Sequence, residues 1–160
     1  GHAGGTSATL PPSTGGLLEL ALDSMQTLGV QARMSGLFLV RNLAFAPESK
    51  PHFCANVAAL PALVRGCESD CQYTRALAAS ALWGLLYNGA KVKSILRSSE
   101  APKRIKAVKD QLTSELEALS PMLHTVSHHQ ETLLLTETAH SLNIVVDMLE
   151  GCEGPSNSEH

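Results

Sequence analysis

Four histidines toward the C-terminal end of the chain have the side chains best suited to bind a metal ion. His124 and His128 are four residues apart, which would put both imidazoles on one face of a helix, and His129 and His140 follow. A zinc peptidase motif requires a glutamate between its two histidines, but here the three intervening residues are Thr, Val and Ser. We therefore expect no metal site and no other cofactor.

The sequence gives equally little indication of a metal-binding or catalytic site built on cysteine or serine. Cys67 and Cys71 are four residues apart and could pair or share a metal, but no histidine or second cysteine pair stands at zinc-site spacing. Cys54 and Cys152 complete the set, and the chain has neither a signal-peptide pattern nor an Asn-x-Ser/Thr sequon. We expect free thiols in a reduced, intracellular compartment. No Ser, His and Asp arrangement and no glycine-rich phosphate loop stands out, so the sequence predicts a protein that is not an enzyme.

Basic side chains are concentrated in one segment of the chain. Seven of the twelve Lys and Arg residues fall between residues 91 and 109, and from Asp110 onward there are nine acids and no Lys or Arg, so the net charge of −3 conceals a dipolar chain. This basic segment is either a patch for an acidic protein segment, a tubulin tail or a phosphate group, or a solvated helix face balanced by the acidic helix after it. Its members are Lys91, Lys93, Arg97, Lys103, Arg104, Lys106 and Lys109.

Aromatic residues are scarce, which restricts both the core and the ligands. The chain has six of them among 160 residues, and none follows residue 87, so no ring near the basic segment can stack on a base. We expect no binding to nucleic acid. No apolar run approaches the roughly 20 residues that span a bilayer, so we also expect no membrane insertion. The core must be built from Leu, Ala and Val, which favours helices.

Helical periodicity covers almost the whole chain between its two ends. Gly29 would follow the first helix, Pro47 would stop the second, and Pro61 would stand in the first turn of a new helix. No alternation of apolar and polar residues predicts a β-strand, so we expect an all-α protein. The helical stretches are 17–28, 32–46, 53–67, 73–87, 102–126 and 130–150.

The helical pattern repeats with a period of 42 residues. Shifting the sequence by 42 places Leu18 on Leu60 and Phe45 on Tyr87, and elsewhere small residues fall on small ones. This period lies in the window of armadillo and HEAT repeats and outside that of tetratricopeptide or ankyrin repeats.

The segment from Leu60 to Leu96 resembles one complete armadillo repeat. LPALVRGCES is similar to its second helix, DCQYTRA to the turn, ALAASALWGLLYN to the long third helix and AKVKSIL to the first helix of the next unit. Residues 17–58 resemble the preceding repeat, and the last two predicted helices would cap the array with a wettable outer face. The resemblance implies a right-handed α-solenoid of about two armadillo-like or HEAT-like repeats with a C-terminal helical cap.

The two repeats together resemble a more specific family. VRNLAF and ESKPHF, followed by ALWGLLYNGAKVKSIL, are similar to the C-terminal armadillo-like end of the rotatins, very large proteins of centrioles and ciliary basal bodies. The resemblance implies a non-catalytic scaffold for centriole assembly and cilium formation. It also implies a cytoplasmic location at the centrosome, centriole and basal body, and partners that are other proteins, above all centriolar ones with acidic or extended segments.

The armadillo resemblance further implies a candidate binding groove. In such solenoids Asn side chains of the third helices hold an extended peptide and Trp rings form pockets for its side chains. Asn42 stands in the Asn region of the first repeat, whereas Gly84 stands there in the second. Trp83 and Tyr87 share a helix face, but Tyr87 replaces the usual Asn and Asn88 comes one position late, which argues against nuclear-import signals. Trp83 is either packed between repeats or an exposed anchor. The candidate groove residues are Arg41, Asn42, Trp83, Tyr87 and Asn88.

The two ends of the chain differ in composition from the part between them. Residues 1–16 and 151–160 are rich in Gly, Ser, Thr or Pro, and we expect both to be disordered tails around a repeat domain of residues 17–150. The dipeptide Gly1-His2 is typical of a cleaved affinity tag, which indicates a fragment.

Two alternatives to a scaffold stay open at this point. One is an adaptor for transport or degradation that binds a peptide in the armadillo groove. The other is self-association of the solenoid end, which light scattering across a concentration series would test.

Overall fold

The helices account for nearly all of the chain that the structure describes. The computed structural model describes residues 14–122 and 129–151, and within these stretches it contains eight α-helices, two 3-10 turns (Pro47–Ser49 and Ser120–Met122) and no β-strand. The predicted all-α class is confirmed at this level. The helices are α1 (Thr14–Met25), α2 (Val30–Ala44), α3 (Lys50–Ala55), α4 (Ala59–Cys67), α5 (Gln72–Leu86), α6 (Ala90–Arg97), α7 (Ala101–Leu119) and α8 (His129–Glu150).

The first helix ends earlier than its apolar stripe predicts. α1 stops at Met25, and Leu28 is almost completely exposed, so the interpretation of Leu28 as part of the buried stripe is wrong. The Thr27 hydroxyl donates to the Ser24 carbonyl, which favours a turn over continued helix. Gly29 is consequently the N-cap residue of α2, and its carbonyl accepts a hydrogen bond from the Arg33 amide. Gly29 therefore does not terminate α1, contrary to expectation.

The helical run over 53–67, in which Pro61 was expected to stand in the first turn of a new helix, contains parts of two helices in the structure. α3 ends at Ala55 and α4 begins at Ala59. Between them the Asn56 side-chain oxygen accepts the Ala58 amide at 3.0 Å, an Asx turn that competes with the helical hydrogen-bond pattern. Pro61 does stand in the first turn of α4, as expected, because the missing amide proton is harmless there.

The ends of the helices carry the 42-residue period. α1, α2 and α3 end at residues 25, 44 and 55, and α4, α5 and α6 end at residues 67, 86 and 97, each 42 residues later. α2 and α5 also have the same length of 15 residues. Each set contains one long helix preceded by a shorter partner and followed by a short one.

Side-by-side helix pairs form the core. α1 packs against α2, α4 against α5, and α7 against α8, while α5 lies between α2 and α8 and contacts both. Ala78, Ala79 and Ala81 of α5 are fully buried, because a helix that packs on both sides needs small residues for close approach. Leu82 and Leu85 of the same helix are also fully buried and supply larger apolar side chains to the core. Apart from Phe53, the large buried side chains of the core are aliphatic, which agrees with the prediction of a core built mainly from Leu, Ala and Val.

The boundaries of the domain differ slightly from expectation. α1 begins at Thr14, three residues before the predicted boundary, and α7 ends at Leu119, before a 3-10 turn that contains Pro121, so the expected helix to residue 126 is wrong at residues 120–122. The predicted tails at 1–13 and 152–160, together with His124, His128 and Cys152, lie outside the described residues. No helix in the described stretches is long and apolar enough to cross a membrane.

Candidate functional site

The C-terminal ends of α2 and α5 lie side by side, and an arginine and two aromatic rings contact one another in turn there. The Arg41 guanidinium lies over the Phe45 ring, 4.8 Å from its centroid, and its Nε donates to the Ser80 hydroxyl at 3.2 Å. Phe45 meets Trp83 edge to face, with ring centroids 5.9 Å apart and an interplanar angle of 82°. Phe45 and Trp83 are 38 residues apart in sequence. The packing of α2 on α5 brings their rings into contact.

Gly84 is the residue that lets Phe45 approach α5. A Cβ at position 84 would lie 3.1 Å from three atoms of the Phe45 ring, a distance that requires the ring to move. At this position the armadillo resemblance leads one to expect an asparagine, and here the ring of Phe45 occupies the space beside the backbone. α5 therefore has a glycine where the resemblance implies an Asn, and an aromatic contact fills the space.

The aromatic cleft is the depression that these residues form at the C-terminal ends of α2 and α5. It has a volume of about 490 Å³. Trp83 is 38% exposed and Tyr87 is 63% exposed, so Trp83 is not buried between repeats. The Lys50 ammonium, which also lines the cleft, donates a hydrogen bond to the Tyr87 carbonyl. The lining residues are Phe45, Pro47, Lys50, Trp83, Gly84, Tyr87 and Asn88.

The structure brings most of the predicted groove residues together. Trp83, Tyr87 and Asn88 line the aromatic cleft, and Arg41 covers the Phe45 ring at its edge. Asn42 accepts a hydrogen bond from Arg41 at 3.3 Å but does not line the cleft.

Four lining residues, Phe45, Pro47, Lys50 and Gly84, were not predicted as site residues, and Phe45 and Lys50 are the two whose side chains make the contacts described above. Phe45 falls on Tyr87 after the 42-residue shift. This match was a signal in the sequence, because α2 and α5, which precede these two residues, pack against each other. No comparable pattern points to Lys50, since its hydrogen bond to Tyr87 crosses 37 residues of sequence.

The basic segment does not form one free surface. The Arg104 guanidinium binds both carboxylate oxygens of Glu68, the Lys106 ammonium lies 3.6 Å from Glu150, and Arg97 Nε donates to the Leu149 carbonyl at 2.6 Å. These contacts tie α6 and α7 to α4 and α8. Arg97 has its hydrogen bond to Leu149 but no ion pair to a described residue, and the members whose side chains have neither an ion pair nor a hydrogen bond to any described residue are Lys91, Lys93, Lys103 and Lys109. The candidate basic patch therefore narrows to four lysines.

Arg104→Gln is expected to raise the pKa of Glu68 toward the ordinary glutamate value. The hydrogen bonds and charge of Arg104 hold the pKa of the Glu68 carboxyl below that value. The pair therefore stabilises the fold above a pH of about 4.3, and this contribution is lost as the pH falls through the lowered pKa. Because both side chains are more than a third exposed, the effect on unfolding is at most about 1 kcal/mol.

Carboxyl-detected NMR titration of Glu68 measures this pKa directly. Lys103→Gln removes the same charge from the adjacent position, where the structure shows no ion pair within the described residues, and it is expected to leave the pKa of Glu68 nearly unchanged. Equal shifts in the two variants would contradict the pairing.

The cysteines and histidines in the described part of the chain add no further site. Burial, with a smaller effect of the Glu68 charge, raises the pKa of Cys67 to about 12, whereas the Thr74 hydroxyl and amide lower the pKa of the exposed Cys71 thiol. Both residues and Cys54 carry free thiols. Within residues 14–122 and 129–151, no group of three or more His, Cys, Asp or Glu residues is arranged to hold a metal ion.

Comparison with known proteins gives two related similarities. The chain is 30% identical to human rotatin over 90 residues, which is 56% of this chain and 4% of rotatin, and 25% identical to mouse rotatin over 134 residues, which is 84% of this chain and 6% of that protein. No family model and no solved structure matches the chain. The expected resemblance to rotatin is therefore confirmed, over a span that is a small part of rotatin's length.

Proposed function

We propose that the chain is an armadillo-like α-solenoid of two repeats, α1 to α3 and α4 to α6, capped by α7 and α8. The 42-residue spacing of the helix ends supports this arrangement, and so does the position of α5 between α2 and α8. α2 and α5 would be the third helices of the two repeats. In such an array the long helices form one continuous surface, which is the surface that carries the aromatic cleft.

On this fold, the function proposed is a non-enzymatic scaffold that binds other proteins during centriole assembly and cilium formation. The similarity to rotatin carries the proposal, because the family resemblance implies this role and the matched span reaches 84% of the chain with the mouse protein. The location that follows is the cytoplasm at the centrosome, centriole and basal body. The partners would be centriolar proteins that contact the third-helix surface or the four free lysines.

Proximity labelling in ciliated cells tests the scaffold role. The chain fused to a biotin ligase is expected to label proteins of centrioles and basal bodies, and to co-localise with a centriolar marker, whereas the ligase alone labels the cytoplasm evenly. Enrichment no greater than that of the ligase alone, with diffuse staining, would overturn the proposal.

A peptide-binding adaptor for transport or degradation is the second candidate, and the exposure of Trp83 favours it. A Trp83 side chain sealed between repeats would exclude peptide contact, but the indole is 38% exposed beside Tyr87. Tyr87 in place of the usual Asn, with Asn88 one position late, separates this surface from that of the nuclear-import adaptors. The two candidates share the same binding surface and differ in the cargo, which the proteins recovered by proximity labelling would identify.

A further inference from the structure

We propose that the aromatic cleft binds an acidic segment of a partner protein by enclosing one bulky apolar side chain of that segment. The proposal rests on the interaction role given above and names the chemistry of the partner. It follows from three properties of the cleft: its apolar walls, its cationic and hydrogen-bond-donating rim, and the Phe45 ring beside Gly84.

The walls of the aromatic cleft suit an apolar side chain. Three rings, those of Phe45, Trp83 and Tyr87, bound a space of about 490 Å³, and all three remain at least 38% exposed in the folded chain. Edge-to-face contact with Trp83 and the Arg41 guanidinium fix the orientation of the Phe45 ring. Rings that are already oriented lose little freedom when a ligand side chain enters, which favours their use as a binding anchor.

The rim of the aromatic cleft favours acidic ligands. Among the described residues, Lys50 lines the cleft and no Asp or Glu side chain does. Glu48, the acidic residue nearest to Lys50 in sequence, does not line the cleft. The indole N–H of Trp83 and the carboxamide of Asn88 make no hydrogen bond to any described residue, so both are available to carbonyl and carboxylate oxygens of a ligand. Charge complementarity therefore selects Asp or Glu beside the apolar anchor.

The same charges argue against a cationic ligand. Three rings around a cleft can form a cage for a methylated lysine, which binds through cation–π contacts. Here Lys50 is part of the wall, and the Arg41 guanidinium already lies 4.8 Å from the Phe45 ring centroid. A cationic ligand would bring a third positive charge next to these two, and no carboxylate among the described residues lines the cleft to balance it.

The position of the Phe45 ring limits which part of the ligand the chain can bind. Because the Phe45 ring takes the space beside Gly84, the second repeat has no Asn side chain to clamp a peptide backbone. Binding then depends on one enclosed side chain and the adjacent charges, and it should be sensitive to single changes at the cleft.

Selection of a random dodecapeptide display library on the immobilised 160-residue chain tests the proposal. The expected result is enrichment of peptides that combine a bulky apolar residue with neighbouring Asp or Glu. Because Trp83 is the sole tryptophan of the chain, synthetic versions of these peptides should shift its fluorescence saturably.

Matched variants locate the binding within the molecule. Tyr87→Ala is expected to weaken the selected peptides at least tenfold, whereas Tyr73→Ala should leave affinity within about twofold. Tyr73 lies at the other end of α5 and is equally exposed, at 66% against 63% for Tyr87. Lys50→Glu should weaken acidic peptides at least tenfold, and Lys109→Glu, the same charge change on α7, should not. Circular dichroism verifies that each variant is folded.

Several outcomes would overturn the proposal. They are the absence of enrichment, enrichment of basic peptides, equal losses in Tyr87→Ala and Tyr73→Ala, and tighter binding of a trimethyl-lysine peptide than of the acidic ones. The scaffold role is judged separately: if the cleft fails these tests while the chain still labels centriolar proteins, another surface carries the interaction. Loss of centriolar labelling with intact peptide binding would refute the location and leave the cleft in place.

Discussion

Replacing Phe53 with alanine is expected to lower the free energy of unfolding by about 3–5 kcal/mol. The Phe53 side chain is 0% exposed and is the largest fully buried side chain in the described part of the chain. It belongs to α3, which contacts α1, α4 and α6, so the cavity would open in the core where these helices meet. Single domains are typically stable by only about 5–15 kcal/mol, so this change removes a large share of the total.

Chemical denaturation followed by circular dichroism measures this loss. Phe38→Ala makes the same change in α2, where the side chain is 52% exposed, and is expected to cost less than about 1 kcal/mol. If the two variants unfold at the same denaturant concentration, the placement of Phe53 in the core is wrong.

Gly36→Ala is expected to destabilise the protein by about 1–3 kcal/mol, although alanine is the better helix former by about 1 kcal/mol. A Cβ at position 36 would lie 2.6 Å from the Ala21 carbonyl oxygen and 3.0 Å from the Met25 amide nitrogen. Both atoms belong to the backbone of α1, so they cannot rotate away and the two helices must separate. The glycine therefore sets the close approach of α2 to α1.

Gly29→Ala is the matched control for this prediction. Gly29 precedes α2, and a Cβ there would meet its nearest neighbour, the Ala32 Cβ, at 3.9 Å, which is ordinary contact. We expect a change of less than about 1 kcal/mol. A melting temperature for Gly36→Ala equal to or above that of Gly29→Ala would contradict the observed packing of α1 on α2.

The helices and their period were largely predictable from the sequence because both are local properties. Spacing of apolar residues at three and four positions sets the helical face, and Pro47 and Asn88-Gly89 end helices through their own backbone preferences. The missed boundaries at Leu28 and Asn56 have local causes too, in side-chain hydrogen bonds that a periodicity argument does not contain.

The candidate site was predictable only in part. Trp83 and Tyr87 are four residues apart on one helix, so their shared face follows from helix geometry. The seven basic residues were visible as a cluster in the sequence, but Glu68, Leu149 and Glu150, which bind three of them, lie 36 to 52 residues away in the chain. Which charges neutralise each other depends on which helices pack together.

The sequence by itself determined an all-helical chain with an aliphatic core and a 42-residue period, since these follow from residue type and short-range spacing. Only the tertiary structure decided that Phe45 fills the space at Gly84, that Lys50 binds the Tyr87 carbonyl beside the aromatic cleft, and that Arg97, Arg104 and Lys106 are bound while four lysines of the basic segment have no partner among the described residues. The physical reason is that these contacts join residues distant in sequence. They depend on which helices pack together and, at Gly84, on a residue small enough to let the Phe45 ring approach α5.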